Sequence, residues 1–554
     1  MGHPGPALVR AALGVGLILP FAAAAAITLA ASFGLLPALG GQALGLDPWV
    51  RLLDQPGLAR SVGVTLLAGL LGTALALGLA FGLVFVMRGR EGRLARLLPP
   101  FLATPHAALA IGLAFLIAPS GWIGRALSPW ATGWLTPPDW PVPQDGAGLS
   151  LALGLAVKEL PFLALMMLAA LPRLPVARHL AAGATLGYGA AQAWAGLVAP
   201  ELYRLVRLPV YATLAFSLSV VDMALILGPT LPPTLPVAAA RWLMAPDLAL
   251  YLPGLAAATL GAGLVALGFL VWCLAERVAA ALLGAWLVRG RRAKGSGRAL
   301  GFAAAGAGVA LALATLSLAA LAVWTFAWGW RFPDAWPGRL TLEGWQSAGQ
   351  AGIWGLAART AALGVAASLL SVLCAIAWLE AGTRAGREEP GRIERAVWLP
   401  LLLPQVALVF GLQVIAARAG LAGAAGAVLW GHVLYAFPYA LLALAGPWRR
   451  LDPRLLHAGA TLGAGPWRRL LTLRLPLLRG PLLAAAALAL SVSAALYVPT
   501  LFLGAGRIAT LTTEAVALAS GADRRLGATY ALLQAALPLL AFALAALLSR
   551  RNGA

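Results

Sequence analysis

The chain has 554 residues, of which 61% are hydrophobic and 11% charged, with 64 glycines and a mean hydropathy of +0.87. A soluble domain is about half apolar and about a quarter charged, so a water-soluble globule is excluded and most of the apolar surface must face lipid. The net charge of +21 would suit nucleic acid, but short basic loops between membrane spans account for it equally well.

Apolar runs of about 20 residues fall near 10–33, 62–87, 98–118, 149–171, 208–228, 249–274, 300–325, 358–380, 397–417, 422–446, 481–503 and 528–549. The expectation is an all-α polytopic membrane protein of about twelve spans. The first run is too long for a signal-peptide core and more spans follow, so it reads as an uncleaved first helix. With the N-terminus inside, most of the 40 basic residues fall in cytoplasmic segments, which predicts both termini in the cytoplasm. Nucleic-acid binding then drops out. Cys273 and Cys374 lie inside apolar runs and read as small buried hydrophobes.

Internal similarity is the next signal. "ARSVGVTLLAGLLGTALAL" from Ala59 aligns with "ARTAALGVAASLLSVLCAI" from Ala358, an offset of 299. Pro105-His106 and Pro404-Gln405 share that offset, whereas Pro161 and Pro438 stand 277 apart. The drop of 22 is one insertion in the first half, "SGWIGRALSPWATGWLTPPDWPVPQDG". "AGATLGYG" at 182–189 and "AGATLGAG" at 458–465 agree in seven of eight positions at an offset of 276. The pattern predicts two parallel six-helix units, 1–288 and 300–554, joined by the basic linker 289–299.

In each half the glycine-rich phrase lies between the fourth and fifth spans, on the arginine-rich side. A proline follows the glycine by thirteen residues, Gly187 to Pro200 and Gly463 to Pro476. Small residues permit close approach of another surface. "WRRLLTLRLP" mixes basic and apolar positions like an interfacial helix, with proline as its stop.

These segments, 179–200 and 455–476, resemble the cytoplasmic coupling loop of binding-protein-dependent ABC importer permeases: Glu-Ala-Ala, three residues, Gly, then Ile-x-Leu-Pro after nine more. The matching residues are Ala182, Gly187 and Pro200 in the first half, and Ala458, Gly463, Leu475 and Pro476 in the second. Ala181 and His457 stand where the motif has glutamate, and Gly183 and Gly459 replace its second alanine. The single-chain, two-half form is similar to the thiamine and iron(III) permease group. The resemblance implies a type I importer fold in a bacterial inner membrane. Its partners would be two P-loop ATPase subunits on the cytoplasmic face and an external solute-binding protein. It also implies thiamine as cargo, with iron(III) as runner-up.

The chain itself shows no G-x-x-x-x-G-K-[ST] phosphate loop. Its two lysines, Lys158 and Lys294, follow Val and Ala. ATP-Mg therefore belongs on the partner, and this chain is expected to be no enzyme and to bind no cofactor or metal.

Intramembrane polar groups point to a pathway. The candidates are Asp222, whose counterpart reads as Leu496; the paired serines Ser217, Ser219, Ser491 and Ser493; the adjacent Lys158 and Glu159; and His106 and Gln405. The serines would equally bond back to their own helices. Pro105, Pro161, Pro404 and Pro438 read as matched breaks in spans. A rival reading is an ion-coupled secondary carrier of the twelve-helix type, also built from two six-helix halves.

Overall fold

The computed structural model describes residues 4–37, 41–290, 296–386, 397, 399–519, 521 and 523–550. Residues 291–295 of the expected linker 289–299 lie outside them. Among the described residues nine helices are long and apolar enough to cross a membrane, and ten if the bent pair Pro466–Leu477 and Arg479–Ala495 counts as one span.

The shortfall from twelve has a local cause. The run 98–118 keeps a span, but one that begins only at His106, because the run breaks at Thr104-Pro105 between the helices Pro99–Ala103 and His106–Ile117; three other runs make up the shortfall. The run 397–417 breaks at Pro404 and leaves the 14-residue helix Gln405–Arg418. The run 208–228 belongs to the helix Ala199–Ser219, which ends at an extended Val220. The run 481–503 is interrupted at Leu496. Proline removes a backbone donor and clashes with the preceding turn, so Pro105 and Pro404 sit just ahead of a helix. Pro161 and Pro438, by contrast, lie inside the continuous helices Leu149–Ala170 and Ala425–Arg450. They are not breaks: a membrane helix absorbs a proline where neighbouring helices bury it, and both are buried.

The helices show why they need lipid. Leu58–Val86 buries a stripe of small residues, Ser61, Thr65, Ala68, Gly69, Gly72 and Thr73, while Leu67 and Leu75 face outward. Small residues inside and large apolar ones outside is the arrangement of a helix packed by close backbone approach in hydrocarbon. A β-carbon on Gly72 would stand 2.9 Å from Leu155 Cβ. Thr65 and Thr73 return their hydroxyls to the carbonyls of Ser61 and Gly69, so no donor is left toward lipid. Cys273 and Cys374 are free and only half-buried.

Local features recur between the halves, and their spacing corrects two alignments. The helices Leu58–Val86 and Ile353–Arg384 both start after a left-handed glycine, Gly57 at φ +79° and Gly352 at φ +83°. The Thr65 hydroxyl accepts from Leu235 N at 2.9 Å, and the Thr360 hydroxyl from Leu511 N at 3.0 Å. The matched offset is therefore 295, four residues short of 299. Four residues are about one helical turn, so the slip preserves the buried face. Likewise the chain turns extended at Val220 and at Leu496. Leu496 therefore matches Val220, and Val498, first residue of its short helix, is the counterpart of Asp222.

The helix Leu149–Ala170 starts from a side-chain clasp. Asp145 accepts from Leu149 N and Ser150 N, each at 2.7 Å. Burial pushes the Asp145 carboxyl up, but the hydrogen bonds from Ser150 and Leu149 outweigh it and hold the group below its ordinary value of 3.8. A depressed carboxylate contributes stability that is complete above the unfolded-state value and lost as the pH falls through the folded one. Asp145→Asn is expected to cost about 1 kcal/mol at neutral pH and to flatten the melting temperature between pH 5 and 3, where the parent chain declines. Melting curves of both proteins across that range check it; identical slopes would refute the clasp.

Candidate functional site

The first group of polar residues gathers where a span is broken. Helix Pro99–Ala103 ends at Thr104, and its last carbonyls have no intrahelical partner. Lys158, 4% exposed, reaches across from Leu149–Ala170 and donates Nζ to the carbonyls of Phe101, Leu102 and Thr104 at 3.2, 3.0 and 2.6 Å. The neighbouring Glu159 Oε1 lies 3.6 Å from His106 Nε2. Adjacent helical residues point about 100° apart, yet both side chains converge on the segment Phe101–His106, because each is long and the break lies alongside. The His106 ring also lies 4.5 Å from that of Phe216, centroid to centroid.

Asp222 opens the six-residue helix Asp222–Leu227 just past the Val220 break, and is buried. The charges of His106 and Lys158 act on it. The Asp222 charge in turn reaches Tyr497, and the Glu159 charge reaches Tyr439. The structure brings together Lys158, Glu159, His106 and Asp222. The cluster gathers two carboxyl side chains, one amine and one imidazole.

The other pathway candidates divide. Ser219 and Ser491 donate to the carbonyls of Ala215 and Ala487 in their own helices. Ser217 Oγ is buried and finds no partner among the described residues, whereas Ser493 Oγ meets His432 Nδ1 at 2.7 Å. The difference has a cause. Gly154 and Gly431 abut Leu227 and Leu503, which aligns their helices at 277 and puts Leu155 where His432 stands. His432 Nε2 also meets Thr500 Oγ1 at 2.9 Å. The histidine joins three elements across the second break, with both its partners more than 60 residues away in the sequence. Gln405 is the half-buried first residue of its helix.

The two glycine-rich phrases fold alike. Helices Val176–Thr185 and Pro453–Thr461 are followed by Gly187 at φ +77° and Gly463 at φ +78°. In the first, Gly187 N donates to Ala184 O and Tyr188 N to Gly183 O, both at 2.9 Å. In the second, Gly463 N donates to Ala460 O at 3.0 Å and Ala464 N to Gly459 O at 2.9 Å. This is a left-handed glycine closure of a helix C-terminus. Thr185 and Thr461 both donate to the carbonyl three residues back, Ala182 and Ala458, at 2.8 Å.

The return strand of each phrase begins as a short helix, passes through a π turn, Trp194–Val198 or Leu470–Arg474, and continues as a new helix. A β-carbon on Gly183 would stand 2.4 Å from Ala193 Cβ, and one on Gly459 2.6 Å from Leu473 Cδ1. These glycines let the two arms of each loop touch. Pro200 and Pro476 start the following helices rather than stopping the loop, since proline fits the first helical turn, whose amides are unpaired anyway. Leu475 opens that same short helix beside Pro476.

Two exposed leucines occupy the tips, Leu186 at 62% and Leu462 at 87% exposure. The second loop is anchored from beneath: Arg474 Nη1 and Arg384 Nε hold Glu380 at 2.7 and 2.8 Å. Glu380 and Arg474 are 94 residues apart, so their pairing was invisible in the sequence.

No protein-family model matches the chain. Among curated proteins it is 32% identical over 517 residues to the inner membrane ABC transporter permease protein YnjC of Escherichia coli strain K12. The match covers 92% of this chain and 92% of that protein. Identity at this level along nearly the whole of both chains carries membership, and with it an inner-membrane setting and an ATPase partner. The chain belongs to the inner membrane ABC transporter permeases.

Proposed function

We propose that this chain is the permease subunit of an ATP-driven uptake system, built as two six-helix units around one solute pathway. The observation that carries the reading is the paired loop. Two helix–glycine–helix tips of equal backbone geometry, each with an exposed leucine, suit docking into two equivalent grooves of an ATPase pair. Gly187, Gly463 and the close-packed Gly183 and Gly459 hold each tip as a rigid unit. ATP-driven closure of the ATPase dimer would then draw the tips together and tilt the units alternately about the centre. The loops are cytoplasmic in this reading, as are both termini, and a solute-binding protein delivers cargo on the opposite face. ATP and Mg stay on the partner.

The cluster of Lys158, Glu159, His106 and Asp222, whose charges reach Tyr439 and Tyr497, lies beside the broken spans, where irregular backbone is tolerated next to a cavity. Its excess of carboxylate and its phenols favour a cationic solute, with thiamine the first candidate and iron(III) the second.

Co-purification from native membranes, with intact mass of the complex, tests the docking. The parent chain is expected to carry two ATPase copies. Leu186→Asp with Leu462→Asp is expected to lose them, a weakening of at least a hundredfold, while melting unchanged, because neither side chain is buried. Retention of the ATPase by that double variant, or uptake under an ion gradient without ATP, would overturn the reading in favour of a secondary carrier.

A further inference from the structure

At the end of the molecule away from the two loops lies a cavity of about 640 Å³. The placement follows from the chain course: the 120–148 segment precedes Leu149–Ala170, and the first loop follows that helix. Two arginines from opposite halves enter the cavity, Arg125 of the short helix Trp122–Leu127 and Arg524 at the start of Arg524–Arg550.

Arg125 is 4% exposed. Its Nε donates to Ser120 O at 2.9 Å, while Nη1 is buried with no partner among the described residues. Arg524 Nη2 donates to Ser120 Oγ at 2.9 Å. Both guanidinium groups lie against the Trp324 ring, at 5.8 Å for Arg125 and 5.4 Å for Arg524, and Arg125 also lies against Trp330 at 5.1 Å. The two charges repel one another.

Among the described residues neither arginine makes an ion pair. Asp334 acts on Arg125 only at a distance. Asp523, the acid among the residues lining the cavity, is occupied by Arg525 and by the helix amides Arg525 N and Leu526 N. Two cations in an aromatic wall, one with an unused buried donor, is an arrangement that an anion completes: a fork of N–H groups matches the oxygens of carboxylate or phosphate, and a buried charge without a counter-charge is costly.

We propose that this cavity binds a small oxyanion, a carboxylate or phosphate, between Arg125 and Arg524. The bound anion cancels the repulsion and ties the 120–148 segment of the first half to the last helix of the second. The site stands apart from the loops and from the Lys158 cluster, and its test needs no ATPase.

The full chain in nanodiscs of zwitterionic lipid is titrated calorimetrically with sodium citrate and with sodium phosphate, against sodium chloride at equal ionic strength. Saturable binding of one or both oxyanions is expected, with a rise in melting temperature that chloride does not give. Arg524→Gln is expected to weaken binding at least tenfold and to leave melting without the anion unchanged or higher, since it removes one repelling charge. Arg125→Gln is expected to abolish binding; should it fail to fold, Arg524→Gln decides alone. Equal heats for chloride and both oxyanions, or unaltered affinity in Arg524→Gln, would overturn the proposal.

Discussion

Gly411→Val is expected to prevent accumulation of folded protein. A β-carbon at Gly411 would stand 2.1 Å from Ala24 O, 2.4 Å from Ala24 Cα and 2.6 Å from Ala24 C. All three are backbone atoms of a residue with no exposure, in the helix Leu19–Ser32. No rotamer change relieves such a clash, so two helices must separate. Overpacking of a dense interior costs about 1–3 kcal/mol when side chains can yield, and here they cannot, so the upper end is the floor.

The same contact occurs on the other side, where a β-carbon on Gly112 would lie 2.4 Å from Ser317 O. In each case the opening helix of one half is laid over the other half: Ala24 of residues 1–288 against Gly411, and Ser317 of residues 300–554 against Gly112. Gly112→Val should therefore fail in the same way. Gly261→Ala is the control, because its added methyl meets nothing within 4 Å. Membrane yield and the melting temperature of detergent-purified variants decide it. A Gly411→Val chain that melts with the parent would show that the crossed packing is wrong.

Lys158→Met should destabilise by about 3 kcal/mol, because removing one partner of a buried charged set leaves the others uncompensated. Three carbonyls would lose a charge-assisted donor. Glu159 would keep the His106 ring at 3.6 Å, and Asp222 would lose the lysine charge that acts on it. Methionine has nearly the volume of lysine, so the loss is electrostatic and not a cavity effect. The double variant Lys158→Met with Asp222→Asn is expected to recover part of the loss, since it also removes the stranded carboxylate. Melting temperatures of the four proteins of that cycle give the coupling directly. Strict additivity would mean that Lys158 serves only the carbonyls of the broken helix and that the two residues form no common site.

The sequence by itself determined the medium, the helical class and the repeated phrase. Composition can do this because hydrocarbon demands long apolar helices whatever their arrangement, and because the glycines at 187 and 463 answer a local need, a backbone with φ near +78°. It also singled out Lys158, Glu159, His106 and Asp222 one by one, since charge inside an apolar run stands out against its surroundings.

Tertiary structure alone decided which of these meet. Lys158 finds its acceptors more than 50 residues away, and His432 its partners 61 and 68 residues away. Arg125 meets Ser120 locally but shares its cavity with Arg524. Hydropathy is blind to such pairings, and equally blind to a slip of about one helical turn, which moved the matched offset from 299 to 295. It overlooked the break at Val220 for a related reason: no proline or glycine marks it in the sequence, whereas the break at Leu496 is followed by Pro499 in the first turn of the next helix. The crossed packing at Gly411 and Gly112 was the least legible of all. A glycine that accepts a foreign backbone reads the same in sequence as one that faces open space.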